Sequence, residues 1–243
     1  IGLTYSSNAL EGNSLTETET KVVIEDGITI GGKPIKDHYE AMGHSEAFDL
    51  LYRLAKTNKI TEKDILELHR LFYYRLDAKN AGKYRKEKVI ITGTEFIPPP
   101  PSKVPVLMKK FIAQIISRRK TLHPVEFAAW LHQGLVTIHP FKDGNGRTGR
   151  LLMNIFIMRH GFPIAIIQKN ERQKYYRALR DADSGNYKPL VNLTAQAVLR
   201  SLNIYLDVLT PSKEKEPFIS LREAARGTSY SQAYLSKLAK EGK

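Results

Sequence analysis

The sequence contains no cysteine. That excludes disulfides, cysteine-ligated zinc and thiol nucleophiles. It fits a reducing compartment, and the cytoplasm is the expected location. No apolar run is long enough to span a bilayer, so no membrane is expected among the partners. No signal-peptide pattern opens the chain, which starts at Ile1 without Met and so leaves room for residues upstream. There is also no long basic block. The net charge of +13 is spread along all 243 residues. Such a charge points to nucleotides, nucleic acid or acidic partners, and a solvated surface explains it as well. With 42% hydrophobic residues, the chain can build one sizeable core and a small appendage.

What the sequence does have is concentrated between Ile138 and Arg150, I-H-P-F-K-D-G-N-G-R-T-G-R. An apolar helical pattern enters it through Val125, Phe127, Trp130, Leu131, Leu135 and Ile138. A second leaves it through Leu151, Leu152, Ile155, Phe156 and Met158. Pro140 breaks the first helix, and Gly144 and Gly146 allow a tight turn. The prediction is helix, short loop, helix. A loop that ends at a helix N-terminus gathers free N–H groups and the positive end of the dipole, which makes an anion site. Arg147 and Arg150 share a helix face and can both point at one anion. Asp143 offers a hard oxygen ligand to a magnesium ion (Mg²⁺) arriving with phosphates. His139 is the one group in the loop that takes a proton near neutral pH. A lone His or a Gly-rich turn is ordinarily structural. All of these features within a dozen residues point to phosphate chemistry.

The run His139 to Arg150 resembles the signature of the Fic/Doc family, H-P-F-x-[D/E]-G-N-G-R-x-x-R, at every specified position. The resemblance implies transfer of AMP from ATP to a protein hydroxyl, with pyrophosphate leaving. It also implies Asn145 and the Gly144–Gly146 amides around the α- and β-phosphates, and Arg147 and Arg150 on the β/γ-phosphate charge. The Doc branch, which phosphorylates, has Lys in place of the last Gly of the motif. Here position 146 is Gly, which favours nucleotidyl transfer. Upstream, Ser7 and Glu11 are four apart on a short helical stretch stopped by Gly12. By itself this reads as a surface helix with a solvated Glu. Beside the signature, Ser7-x-x-x-Glu11-Gly12 resembles the inhibitory motif [S/T]-x-x-x-E-[G/N]. The resemblance implies that Glu11 pairs with Arg150 and blocks the γ-phosphate of ATP.

Between these motifs the chain reads as helical. A capping box at Thr16 and Glu19 starts one helix, Lys36 to Lys56 form another, and Thr61 with Asp64 starts a third through Arg75. His38 and His44 have poor spacing for a shared metal and are expected at a surface or interface. Residues 82–101 break the rhythm. Val89-Ile90-Ile91 and Phe96-Ile97 flank Thr92-Gly93, and Pro98 to Pro101 follow, which reads as a β-hairpin. In the family this place carries the flap that aligns the target by main-chain pairing, so Ile90, Ile91, Thr92 and Gly93 are the expected docking residues. Val104 to Arg118 is helical again, and Pro124 opens the helix into the motif. Beyond it, Tyr175, Tyr176 and Leu179 fit a helix core and also resemble the segment lining the family's adenine pocket. Asp183 stands where relatives often carry Asn, which leaves base selectivity open.

Val191 to Leu209 completes the bundle, and Thr210 to Pro217 is a polar linker. Ser220 with Glu223 caps a short helix, and a second runs to Lys240. This tail resembles the start of a DNA-binding helix-turn-helix or winged helix, with modest basicity. The expected fold is all-α: a Fic-type bundle with a small β-hairpin flap over 1–208, a linker over 209–218 and a truncated helix-turn-helix over 219–243. The expected partners are ATP, a hydroxyl-bearing protein and DNA through a complete C-terminal module, with a homodimer left open. Two other functions stay open on sequence: a DNA-binding regulator with a self-modifying Fic site, and removal of AMP or another phosphotransfer.

Overall fold

The computed structural model describes residues 1–91, 94–210 and 220–240. Its first compact unit, Ile1–Asn203, is a helical bundle. In chain order the helices are α1 (Gly2–Leu10), α2 (Glu17–Glu25), α3 (Ile35–Ala55), α4 (Glu62–Tyr73), α5 (Val104–Arg118), α6 (Pro124–Ile138), α7 (Asn145–Arg159), α8 (Arg172–Asp183) and α9 (Lys188–Leu209). The start signals act as read. Thr16 and Glu19 bond reciprocally ahead of α2, and Thr61 and Asp64 do so ahead of α4. Pro124 sits in the first turn of α6, where its missing N–H costs nothing.

Helices α6 and α7 form the centre, and α3 and α4 pack against α7 as well. This explains why α7 is buried on almost every side from Asn145 to Ile157. Phe127 meets Phe156 edge-on at 5.1 Å between ring centres. Leu131, Leu135, Leu151, Leu152 and Ile155 fill the space around them without exposure. Each such side chain contributes about 2 kcal/mol by leaving water. A second apolar cluster draws Leu10, Met153, Ile157, Tyr175, Leu179, Leu190 and Leu193 together. Leu10 is the residue that seats α1 on this cluster. Polar bonds then fix its angle: Thr4 to His44 (3.1 Å), Asn8 to the Glu40 carbonyl (3.3 Å), and Arg172 to the Leu10 carbonyl (2.7 Å).

Two expectations fail here for physical reasons. His38 and His44 are buried, not on a surface. Helix α3 is enclosed by α1, α2, α4 and α7, so it carries a buried polar face with Asp37, His38, Glu40 and His44 on it. His38 accepts the Ile30 N–H (2.8 Å) and faces the Pro34 carbonyl (2.9 Å). The expected hairpin also departs from the reading. Among the described residues there is no strand, and 86–91 and 94–100 run without a ladder. Pro98 to Pro101 have no N–H to donate to one. Ile90 and Ile97 stand almost fully exposed. Thr92 and Gly93 lie outside the described residues.

The second unit, Ile204–Lys243, contains the contacting helices α10 (Leu221–Arg226) and α11 (Gln232–Lys240). Ser220 and Glu223 form the expected capping box. The linker expected over 209–218 falls mostly outside the described residues. Among those described, no helix is long and apolar enough to cross a membrane.

Candidate active site

The loop 139–144 owes its shape to three local devices. His139 ends α6 in the left-handed region (φ 51, ψ 57), which is uncommon for a residue with a side chain. Gly144 is also left-handed (φ 78), and a Cβ there would lie 2.8 Å from Phe72. Only glycine fits. Asn145 closes the loop by clasping Phe141 twice, accepting its N–H (2.9 Å) and donating to its carbonyl (3.0 Å). The side chain expected around the phosphates is therefore committed to the loop. Phe141 is fully buried and stacks on His69 at 3.8 Å, while His69 Nε2 bonds to the Asp143 carbonyl (3.1 Å).

His139 is set up as a base. Its Nδ1 faces the Val136 carbonyl at 3.2 Å. A carbonyl only accepts, so this contact puts the proton on Nδ1 and the lone pair on Nε2. Burial lowers the pKa of the imidazole below its usual value, and nearby Arg85 lowers it further. At neutral pH the ring is uncharged and able to accept. Four residues on, Asp143 accepts the Gly144 N–H with Oδ1 (2.6 Å), and its side chain is about half exposed at 47%.

The two signature arginines leave the same face of α7 and go to different carboxylates. Arg147 lies 2.8 Å from Glu40 on α3 and 3.5 Å from Asp143, with its guanidinium 4.3 Å above the Phe72 ring. Arg147 Nε and Nη1 have no well-angled hydrogen-bond acceptor. Arg150 is held mainly by α1 and the residue that follows it. It donates to Ser7 Oγ (3.0 Å), to the Ser7 carbonyl (2.8 Å) and to Glu11 Oε1 (2.7 Å). Its remaining bond goes to the Tyr175 hydroxyl (2.9 Å), which also meets His132 Nε2 (2.8 Å). Burial works against the charge on Glu11, but Arg150 and Arg147 outweigh it and hold the carboxyl below the usual range. Glu11 Oε1 lies so close over the loop that a Cβ at Gly146 would be 2.5 Å from it.

A cavity of about 640 Å³ opens on this loop. Its lining includes the first turn of α7, where the N–H groups of Asn145, Gly146 and Arg147 lack helical partners. His139, Asp143 and Glu11 line it as well. So do Val136, Tyr175, Tyr176, Leu179 and Asp183, and Ile90, Ile91, Thr94 and Phe96 lie at its rim, where Ile90 is almost fully exposed. The structure thus brings together almost every residue singled out in the sequence. Ser7 and Arg150 do not line the cavity, and Tyr175, which does, is 1% exposed with its hydroxyl bonded to Arg150. Tyr176 is the more open of the pair, bonding Glu11 Oε2 at 3.1 Å. Glu40, His69, Arg85 and His132 were not legible as site residues, since each is an ordinary polar residue on an ordinary helix or loop.

His69 and His132, with His44 on α3, are buried neutral histidines. Burial pushes His44 and His132 down to about 3 and His69 to about 4. In the unfolded chain each would titrate near its ordinary value, about 6.5. Their folded values are depressed, so their stability is complete above about pH 6.5. It is lost as the unfolded chain takes up protons the fold refuses, down to about pH 3–4. Urea unfolding should show a level midpoint above about pH 7 and a falling one below about 6.5. The slope should be on the order of 1 kcal/mol per pH unit for each histidine. A midpoint that stays flat down to about pH 5 would contradict the burial of neutral rings.

A helical bundle that sets a proton acceptor beside a helix N-terminus, with Arg147 in the same lining, has the makings of an anion site. Comparison with known proteins gives the family. The Fic/DOC family profile matches residues 59–157. A Fic domain containing signaling protein from Bacteroides thetaiotaomicron superposes with a TM-score of 0.78 at 30% identity, covering 85% of each chain. Fic-1 from C. elegans gives 0.79 at 34% identity, over 85% of this chain and 62% of its own. The protein adenylyltransferase Fic of Drosophila melanogaster is 38% identical over 230 residues, 94% of this chain. The chain belongs to the Fic/DOC family. It spans about half the length (46%) of the curated relatives it matches.

Proposed function

We propose that this chain transfers AMP from ATP to a tyrosine, threonine or serine hydroxyl of a protein, and that Glu11 holds the reaction back. The observation that carries this reading is the shared cavity. His139, the α7 N-terminus and Glu11 line one cavity together with the apolar and aromatic side chains of Val136, Tyr176 and Leu179, which suit a purine. Relatives named protein adenylyltransferase support the direction of transfer. The target oxygen attacks the α-phosphorus, the bond from that phosphorus to the bridging oxygen breaks, and pyrophosphate departs. The hydroxyl proton goes to Nε2 of His139. The α7 amides, Arg147 and Arg150 stabilise the phosphate charge, so the catalysis is mainly positioning and electrostatics. Arg147 is suited to this by its Nε, which has no hydrogen-bond acceptor.

Asp143 fits a magnesium ion that comes with the nucleotide. One carboxylate oxygen is free and partly solvated, and among the described residues no cluster of three acids or histidines forms a protein-only site. Bound there, the ion would neutralise phosphate charge. The exposed rim at Ile90 and Ile91 is the proposed docking edge for an extended target segment.

The test is a cell extract incubated with α-labelled ATP and the Glu11→Gly chain, followed by mass spectrometry of labelled proteins. AMP on a hydroxyl side chain is the expected product. Labelling equal to that of a His139→Ala control would defeat the reading.

A further inference from the structure

Arg85 is a buried cation whose partners are all main-chain carbonyls. It is 6% exposed. Nε donates to the His139 carbonyl (2.7 Å), Nη1 to the Glu87 carbonyl (3.1 Å) and Nη2 to the Pro99 carbonyl (2.5 Å). Its own N–H donates to the Pro140 carbonyl (2.9 Å). A guanidinium without a carboxylate in a dry place is costly, and is tolerated when it does something a smaller residue cannot. Here its fork reaches three separate points at once. Two are the limbs on either side of the cavity rim, before Ile90 and after Phe96. The third is the carbonyl of the residue held in the left-handed region.

From this geometry we infer that Arg85 is a positioning residue that ties the two limbs of the target-docking rim to the backbone of His139. The inference rests on the proposed transfer reaction for its functional consequence. The left-handed backbone of His139 is one a side-chain-bearing residue leaves readily, at a cost of about 1 kcal/mol to hold. Its N–H is bonded within α6 to Leu135, and Arg85 supplies the matching hold on its carbonyl. Removing the fork frees both limbs and the imidazole together. The phosphate wall, built from α7, is untouched. The rate should therefore suffer while nucleotide binding does not.

The test uses the Glu11→Gly chain as parent and adds Arg85→Gln or Arg85→Lys. Three quantities are measured: AMP self-incorporation at saturating ATP, Kd for ATP, and amide hydrogen exchange of 86–91 and 137–141. Arg85→Gln should lower the rate at least tenfold, consistent with displacements of about 1 Å costing on the order of a hundredfold. Kd should stay within about twofold, and exchange should rise in both segments together. Arg85→Lys keeps the charge and one donor, and should recover part of the rate. Rate and ATP affinity falling in parallel, or exchange at 137–141 unchanged in Arg85→Gln, would overturn the inference. If the parent itself transfers no AMP, the transfer reading fails, and the exchange measurement still decides whether Arg85 braces the loop.

Discussion

Replacing His139 with alanine should reduce AMP transfer by several orders of magnitude while leaving the fold and ATP binding nearly intact. The imidazole sits at the end of α6, and its ring makes one bond within its own helix, to the Val136 carbonyl. Removing it breaks no long-range contact. The side-chain clasp of Asn145 on Phe141 still holds the loop, and the α7 amides, the groups a phosphate would use, remain. What disappears is the acceptor for the hydroxyl proton. General-base assistance alone contributes about 10²–10⁴-fold, and a misplaced nucleophile adds to the loss. Rates from labelled-ATP incorporation, with ATP affinity measured on the same preparations, separate the two effects. Turnover near that of the parent would remove His139 from its role, and lost ATP affinity would place it among the phosphate ligands instead.

Glu11→Gly should act in the opposite direction, raising AMP incorporation on targets and on the chain itself by about a hundredfold. Arg150 has four acceptors: two come from Ser7 on α1, one from Glu11 just past its end and one from Tyr175. With Glu11 in place, the guanidinium fork is turned toward the helix and a carboxylate stands over Gly146. A γ-phosphate would meet an occupied partner and a like charge. ATP can still enter, but with its phosphates displaced from in-line attack. The glycine variant removes the obstacle and leaves Leu10 seated, so α1 stays folded against the bundle. Arg150→Ala should show no such gain, because it removes the inhibitor's partner and the phosphate's partner together. The double variant should be as inactive as Arg150→Ala. A Glu11→Gly chain no faster than the parent would make α1 a structural cap.

The parts of this site that were legible in the sequence carry their chemistry locally. His139, Asp143, Gly144 and Gly146 announce a turn, a base and an anion site within a few residues, because glycine geometry and a helix N-terminus need no distant partner. The meeting of Glu11 with Arg150 was different in kind. They are 139 positions apart, and no periodicity links them, so only the resemblance to a family motif brought them together. The supports were not legible at all. Glu40 and His44 read as polar positions on an amphipathic helix, and polarity in a sequence normally means water. They are buried because helices pack on several sides of α3, which a single helix's pattern cannot register. Arg85 binds carbonyls, and carbonyls have no residue identity to recognise. The hairpin was misread because β-branched residues in two short runs look like strands, whereas pairing needs donors, and the return limb runs into four prolines. Tyr175 has a second role its type did not announce: it lines the cavity, and its hydroxyl also bonds Arg150.

The central claim is that this chain moves AMP, from the α-phosphorus of ATP, with His139 as base. The most direct measurement incubates the Glu11→Gly chain with ATP labelled at the α-phosphorus in one tube and at the γ-phosphorus in another, with Glu11→Gly/His139→Ala as control. The account predicts protein-bound label from the α position, none from the γ position, pyrophosphate in equal amount, and neither label in the control. Protein-bound γ-label, or α-label that persists without His139, would contradict it.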